Sequence, residues 1–407
     1  MRLSDRYRAV RARTVALAAP LSAEDQMVQS MPDASPTKWH LAHTTWFFET
    51  FVLGPNGAGH HVPDPSYAFL FNSYYEGVGP RVERARRGQL SRPSLAEVHE
   101  YRRRVDEAVE AWLDDRGEHH AGATTLELGL HHEQQHQELL LSDAKHALGL
   151  QPSRPAYRKA SPGPEKTAVI AAARFRSFGE GVVAIGHAGG AFAFDNEGPR
   201  HQAFLHAFEL ADRPVTCREY LAFMEEDGYG RPELWLSEGW QCLQREGWRA
   251  PLYWERRDGQ WLTYTLGGLR EVRPDEPVAH VSYFEADAFA RWAGARLPTE
   301  EEWEHAATGA PVTGHFADSD RFHPEPATIG MFGDVWQWTR SAYGAYPGYR
   351  PPAGVLGEYN GKFMSSQMVL RGGSCLTPGG HLRATYRNFF PPEARWQMSG
   401  IRLARDS

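Results

Sequence analysis

The sequence predicts an α+β chain of two unlike parts, a four-helix bundle up to about residue 150 and an irregular α+β domain beyond about residue 178. Three observations carry this. Apolar residues recur at three- and four-residue spacing in the first part. Short strand-like runs cut by Gly, Pro and Asn replace them in the second. A proline-rich polar stretch lies between. At 407 residues the chain is also too long for one ordinary core.

In the first part, Trp39, Ala42, Trp46 and Phe47 mark one helix, the run from Val98 to Leu113 a second, and that from Leu126 to Leu148 a third. Glycine and proline collect between these runs, at Gly54 to Pro65 and Gly77 to Gly88. Helices joined by loops, with no strand alternation, give a bundle over 1–150. Residues 151–178, with Gln151, Pro152, Ser153, Arg154, Pro155 and then SPGPEK, have no periodicity and read as a linker. Over 179–407, GVVAIG, FLHAFEL and MVLRGG read as strands. Two helices stand out there. One runs from near Thr216 to Met224, and the other follows LPTEEEWEHAA, where Thr299 and Glu302 form a capping box.

Composition removes several function classes. The net charge of -7 is spread along the chain and gives no reason to expect a nucleic-acid partner. The apolar stretch Thr14 to Leu21 is too short for a signal peptide, and no run approaches the ~20 apolar residues that span a bilayer. Cys217, Cys242 and Cys375 imply no disulfide framework. A reducing compartment, the cytoplasm, is expected.

His132 and His136, four apart in HHEQQH, lie on one helix face, roughly 40° apart around the axis. Two imidazoles at that spacing can share a metal. Metal sites in helix bundles are built from inward side chains on facing helices, which makes a histidine of WHLAHTTWFFE the expected third ligand. His43 and His40 both qualify, and spacing does not separate them. His131 has no partner four residues on, and His60, His61, His119 and His120 fall in loop-like stretches. Three neutral imidazoles suit zinc or iron and leave positions open. HExxH is also the zincin signature, with Glu133 as general base, but no third zinc ligand follows at zincin spacing.

The ordered set WHLAHTTWFFE, FNSYYEGVGPR, HHEQQH, DNEGPRH, LPTEEEWEHAA, GDVWQWT, VLRGGSC, ATYRNFF and SGIRLAR resembles the sulfoxide synthases of ergothioneine biosynthesis (EgtB) over nearly the whole chain. The resemblance implies a DinB-like four-helix bundle followed by a domain similar to the formylglycine-generating enzyme, with a C-type-lectin-like fold. It implies an oxidoreductase in which Fe(II) and O2 couple a thiol to the imidazole C2 of hercynine (Nα-trimethylhistidine) and oxidise the sulfur to the sulfoxide. By the WxLAH match the ligands are His43, His132 and His136, and by position Gln135 and Asn388 contact hercynine.

Relatives that use γ-glutamylcysteine resemble RNWD where this chain has RNFF, so Phe389 and Phe390 stand at the thiol side and Phe390 takes the place of the Asp. A phenyl ring cannot balance the charge of an ammonium group, and an unpaired buried charge costs several kcal/mol. L-Cysteine is the expected thiol, with γ-glutamylcysteine or a DinB/zincin-type hydrolase as alternatives. FNSYYE is similar to the cysteine-using subgroup and makes Tyr75, then Tyr74, the expected acid, with Tyr343 and Tyr346 behind them. A phenol with a pKa near 10 can give up a proton and steer the reaction away from simple thiol dioxygenation. Arg84 and Arg87, then Arg81, are the candidates for the thiol substrate's carboxylate. A formylglycine-generating activity would need a cysteine pair near the C-terminus, and Cys375 is alone beyond residue 242. Asp195, Asn196 and Glu197 could hold a structural cation, though turn chemistry explains them equally.

Overall fold

The computed structural model describes residues 2–56, 64–116, 122–159, 170–327 and 329–407. His60, His61, His119, His120 and the SPGPEK stretch lie outside them. The chain divides into two compact units.

The first unit comprises Met1–Tyr157 and Pro352–Tyr359. Its frame is four helices: α1 (Leu3–Ala18), α2 (Thr37–Phe47), α4 (Leu95–Arg116) and α5 (Ala123–Gly149), with a short α3 (Tyr67–Leu70) in the connection between α2 and α4. Helix α5 packs on α1 and α2, and α2 packs on α4. Every residue of α2 is buried, the polar Thr37, Lys38, His40, His43, Thr44 and Thr45 included, so no solvent-facing stripe marks it. It continues into a π-helical turn, Phe48–Leu53, a form often found beside functional sites. Helix α1 escaped the periodicity argument because its buried positions, Tyr7, Arg11, Thr14, Leu17 and Ala18, include two polar side chains.

Gly129 sits mid-helix in α5, where glycine costs about 1 kcal/mol of helix propensity relative to alanine. A Cβ there would come within 2.5 Å of Phe48 Cε1 and 3.1 Å of Phe47 Cε1. Overpacking of that kind costs about 1–3 kcal/mol, so it outweighs the gain. Gly129→Ala is therefore expected to lower the thermal midpoint of the helical unit, measured by circular dichroism.

The second unit, Arg158–Pro351 with Asn360–Ser407, contains four small sheets. In chain order the strands are β1 (Phe175–Phe178), β2 (Gly181–Ile185), β3 (His201–Leu205), β4 (Phe208–Ala211), β5 (Trp254–Arg257), β6 (Gln260–Thr265), β7 (Gly268–Glu271), β8 (Trp336–Ala342), β9 (Met368–Arg371), β10 (Asn388–Phe390), β11 (Ser399–Gly400) and β12 (Ala404–Asp406). They pair as β1-β4-β12, β10-β9-β8-β11, β2-β3 and β5-β6-β7. Among the described residues, only β8 and β11 pair in parallel.

Its helices are α6 (Cys217–Glu225), α7 (Ser237–Glu246), α8 (Tyr283–Trp292) and α9 (Glu300–Ala307). The expected box caps α9 at Thr299, α6 begins at the expected Thr216 with a box of its own to Glu219, and a third box, Ser282 with Glu285, caps α8. Leu205, Phe208, Leu210, Ala306 and Ala404 form one apolar cluster. Beside it, Arg371 binds Glu300 and Glu304 while Arg387 binds Glu300, which ties α9 to the sheet by buried, hydrogen-bonded ion pairs.

Candidate metal centre

Helix α2 carries His43, and α5 carries His132 and His136. One ring nitrogen from each lies within 4.8 Å of the other two, and the Nε2 atoms of His43 and His132 are 3.2 Å apart. The outward nitrogens explain the aim. His43 Nδ1 donates to the Phe71 carbonyl at 2.6 Å, and His136 Nδ1 lies 2.8 Å from His40 Nδ1. In both rings this leaves Nε2 for the centre. His132 Nδ1 is buried with no hydrogen-bond partner among the described residues.

Burial, reinforced by neighbouring histidines, holds His43 and His136 well below the ordinary imidazole value, and burial holds His132 at about 3. All three are neutral, the form that binds metal. Trp39 stacks on His43 with ring centroids 4.5 Å apart, and Phe47 lies 4.6 Å from His132. Three converging neutral imidazoles in an aromatic pocket fit a divalent metal of the zinc or iron kind, with further coordination positions left for small ligands. His40, the competing candidate, lies one step out, between His136 and Asp143.

Glu133 does not face this pocket. It is fully buried, with its two oxygens 2.8 Å from Arg11 Nη1 and 2.9 Å from Arg102 Nη2. Burial alone would raise its pKa, but the two guanidiniums outweigh it and hold the carboxyl at about 2. A carboxylate locked between two arginines cannot act as a base on bound water, and this removes the zincin-type reading.

Tyr359, which no motif marks, arrives with the Pro352–Tyr359 segment. Its hydroxyl donates to Gln135 Oε1 at 2.5 Å, and its ring lies 5.8 Å from that of His132. The segment is fixed by Glu358, whose carboxylate accepts the backbone N–H groups of Glu76 and Gly77 at 3.0 and 2.9 Å. Tyr74 sits between the expected acid and this new phenol, with its ring 4.6 Å from Tyr75 and 6.4 Å from Tyr359. Tyr75 is fully buried against Trp46 and Phe51, and its hydroxyl lies 3.5 Å from that of Tyr74. Burial, with Tyr74 beside it, raises the Tyr75 phenol well above its ordinary value.

The three arginines have unlike surroundings. Arg84 is exposed, and Arg81 is paired with Glu76. Arg87 is 5% exposed, holds its guanidinium carbon 3.5 Å from the centre of the Trp39 ring and donates to Ser35 Oγ at 2.9 Å. No carboxylate among the described residues pairs with it, and burial together with Arg84 pushes it well below the ordinary guanidinium value. The turn that bears it is pinned at Gly88 by Gln29. Just beyond, the carbonyls of Leu90, Ser91 and Pro93 are gathered by Lys38 Nζ.

In the second unit, Asn388 opens β10, and its Oδ1 accepts the N–H of Phe389. Phe389 stacks on Tyr343 at 4.0 Å, and Phe390 meets the Trp396 ring at 5.5 Å. Tyr343 and Tyr346 are buried, hydrogen-bonded to Asn196 and Glu300 respectively. Glu197 is taken up by Arg383 and Thr385, and Asp195 by Tyr349 and Asn360. Both carboxylates therefore have protein donors in place of a cation.

Residues 6–140 match the family model of the DinB superfamily, and residues 171–330 and 326–407 match that of the sulfatase-modifying factor enzyme 1-like domain. Bundle, histidine cluster and second domain define a two-domain protein of the DinB and sulfatase-modifying-factor type, and its relatives make it an oxidoreductase of the oxygenase class. A hercynine oxygenase of Mycobacterium tuberculosis is 34% identical over 92% of this chain and 92% of its own length. One of Mycolicibacterium smegmatis is 31% identical over 99% of this chain and 98% of its own. The chain belongs to the hercynine oxygenase family. No described helix is long and apolar enough to cross a membrane.

Proposed function

We propose that this protein is an Fe(II)- and O2-dependent enzyme that joins the thiol of L-cysteine to the imidazole C2 of hercynine, giving hercynylcysteine sulfoxide. The convergence of His43, His132 and His136 is the observation that carries the reading, alongside membership of the family. The balance is simple. The C2–H and S–H bonds break, the C–S bond forms, and O2 takes four electrons, ending as the sulfoxide oxygen and one water. Fe(II) bound by the three histidines would supply the reduction of O2.

The other roles belong to the chain's own residues. Gln135, oriented by Tyr359, would hold the hercynine imidazole. Arg87 would take the cysteine carboxylate, since a buried guanidinium without a counter-charge is costly and a bound carboxylate relieves it. The proton donor is assigned to the Tyr74, Tyr75 and Tyr359 group, with Tyr359 Oη preferred because its ring lies against His132.

Anaerobic loading with Fe(II), followed by hercynine, cysteine and O2, is expected to give the sulfoxide by mass spectrometry. No product with either cysteine or γ-glutamylcysteine overturns the reading. Tyr359→Phe is expected to shift product from sulfoxide towards cysteine sulfinate, because a general acid contributes about 10²–10⁴-fold to its step. An unchanged ratio in Tyr359→Phe alongside a shifted one in Tyr75→Phe would return the role to Tyr75. Phe390→Asp restores a charge partner worth about 1.5–3 kcal/mol. It should raise kcat/KM for γ-glutamylcysteine relative to cysteine by roughly 10–100-fold.

A further inference from the structure

The geometry points to Asp143 and His40 as positioning residues that fix the tautomer and aim of His136 toward the metal. The inference rests on the three-histidine reading above, and its test separates the two. Asp143 lies seven residues beyond His136 on α5, two turns along the same face. His40 lies three residues before His43 on α2. Asp143 Oδ2 is 3.1 Å from His40 Nε2, and His40 Nδ1 is 2.8 Å from His136 Nδ1. Both residues are buried, at 5% and 2% exposure.

The polarity of this chain is determined. If His136 gives Nε2 to a metal, its proton is on Nδ1, and His40 Nδ1 must accept it. The His40 proton is then on Nε2, where Asp143 Oδ2 receives it. Every hydrogen bond points toward the carboxylate, so negative charge at Asp143 strengthens His136 as an electron-pair donor. Outer hydrogen bonds of this kind orient metal-bound histidines, and losing one typically weakens metal binding about 10–100-fold.

Asp143 is itself held in place. Its Oδ2 also accepts the backbone N–H of Ser35 at 2.8 Å, and the Ser35 hydroxyl accepts from Arg87. Arg87 thus stands two hydrogen bonds from the carboxylate and supplies positive charge nearby. His43 uses a different device, a backbone carbonyl, and His132 has no outer partner among the described residues. His136 is therefore the ligand whose donor strength a side-chain charge can set.

The test is Co(II) titration of the metal-free full-length chain, followed by its d–d spectrum and the paramagnetically shifted ring N–H signals. Asp143→Asn keeps an acceptor oxygen for Ser35 and His40 while removing the charge, and His40→Ala removes the acceptor. Both are expected to weaken Co(II) binding about 10–100-fold and to shift or lose one ring N–H signal. His40→Gln, whose amide can accept from His136 and donate to Asp143, should recover part of the affinity. If His40→Ala does not fold, Asp143→Asn carries the test alone. Variants that bind Co(II) as wild type with unchanged N–H signals, whatever their melting temperature, overturn this inference. A wild-type protein that takes up no Co(II) overturns the metal reading beneath it.

Discussion

Replacing His43, His132 or His136 by alanine should abolish stoichiometric metal binding, and product formation with it. Zinc-finger sites of four ligands are worth about 10–16 kcal/mol, so each ligand is worth roughly 2.5–4 kcal/mol, or about 10²–10³ in Kd. The same substitutions should leave the metal-free fold largely intact. His43 and His132 present their Nε2 atoms to each other at 3.2 Å, and burial disfavours their charged forms. The cluster serves metal binding, and the stability of the unit comes from elsewhere. Metal analysis after gel filtration, with circular dichroism on the same samples, checks both halves. A His136→Ala protein that still carries one metal per chain would show that the triad is not the site.

Glu133→Gln is the second large effect, and it should fall on stability. Arg11 and Arg102 are 3% and 2% exposed and share Glu133 as a counter-charge, with Asp106 helping Arg11. Breaking a buried pair by removing one partner typically costs about 3–5 kcal/mol. For a unit of this size that is roughly a 6–20 °C fall in melting temperature. Metal affinity should change much less, because the carboxylate points away from the histidines toward α1 and α4. A hydrolase with Glu133 as base would show the reverse, a stable protein without activity. Calorimetry and Co(II) titration on one preparation separate the two.

What the sequence made legible follows from local physics. The i, i+4 spacing of His132 and His136 is a property of any helix, and so are the Thr216 and Thr299 caps. The Ser282–Glu285 box of α8 is of the same local kind. The choice between His40 and His43 lies beyond local spacing. Both are buried on α2, and what separates them is that Phe71 O meets one while Asp143 meets the other. Helix α1 hid because its buried face carries Arg11, which makes sense only once Glu133 is seen opposite. Tyr359 was out of reach. It follows an aperiodic turn, and its partner Gln135 is 224 positions away.

That last separation has a consequence during synthesis. The helical unit includes Pro352–Tyr359, yet Arg158–Pro351 is translated first. At about 5–20 residues per second, roughly 200 residues delay the segment by about 10–40 s. The four helices can assemble on the ribosome well before Tyr359 exists to meet Gln135. A nascent chain therefore passes through an interval in which the histidine cluster is formed and that phenol is still missing, which leaves metal uptake a window before the pocket is complete.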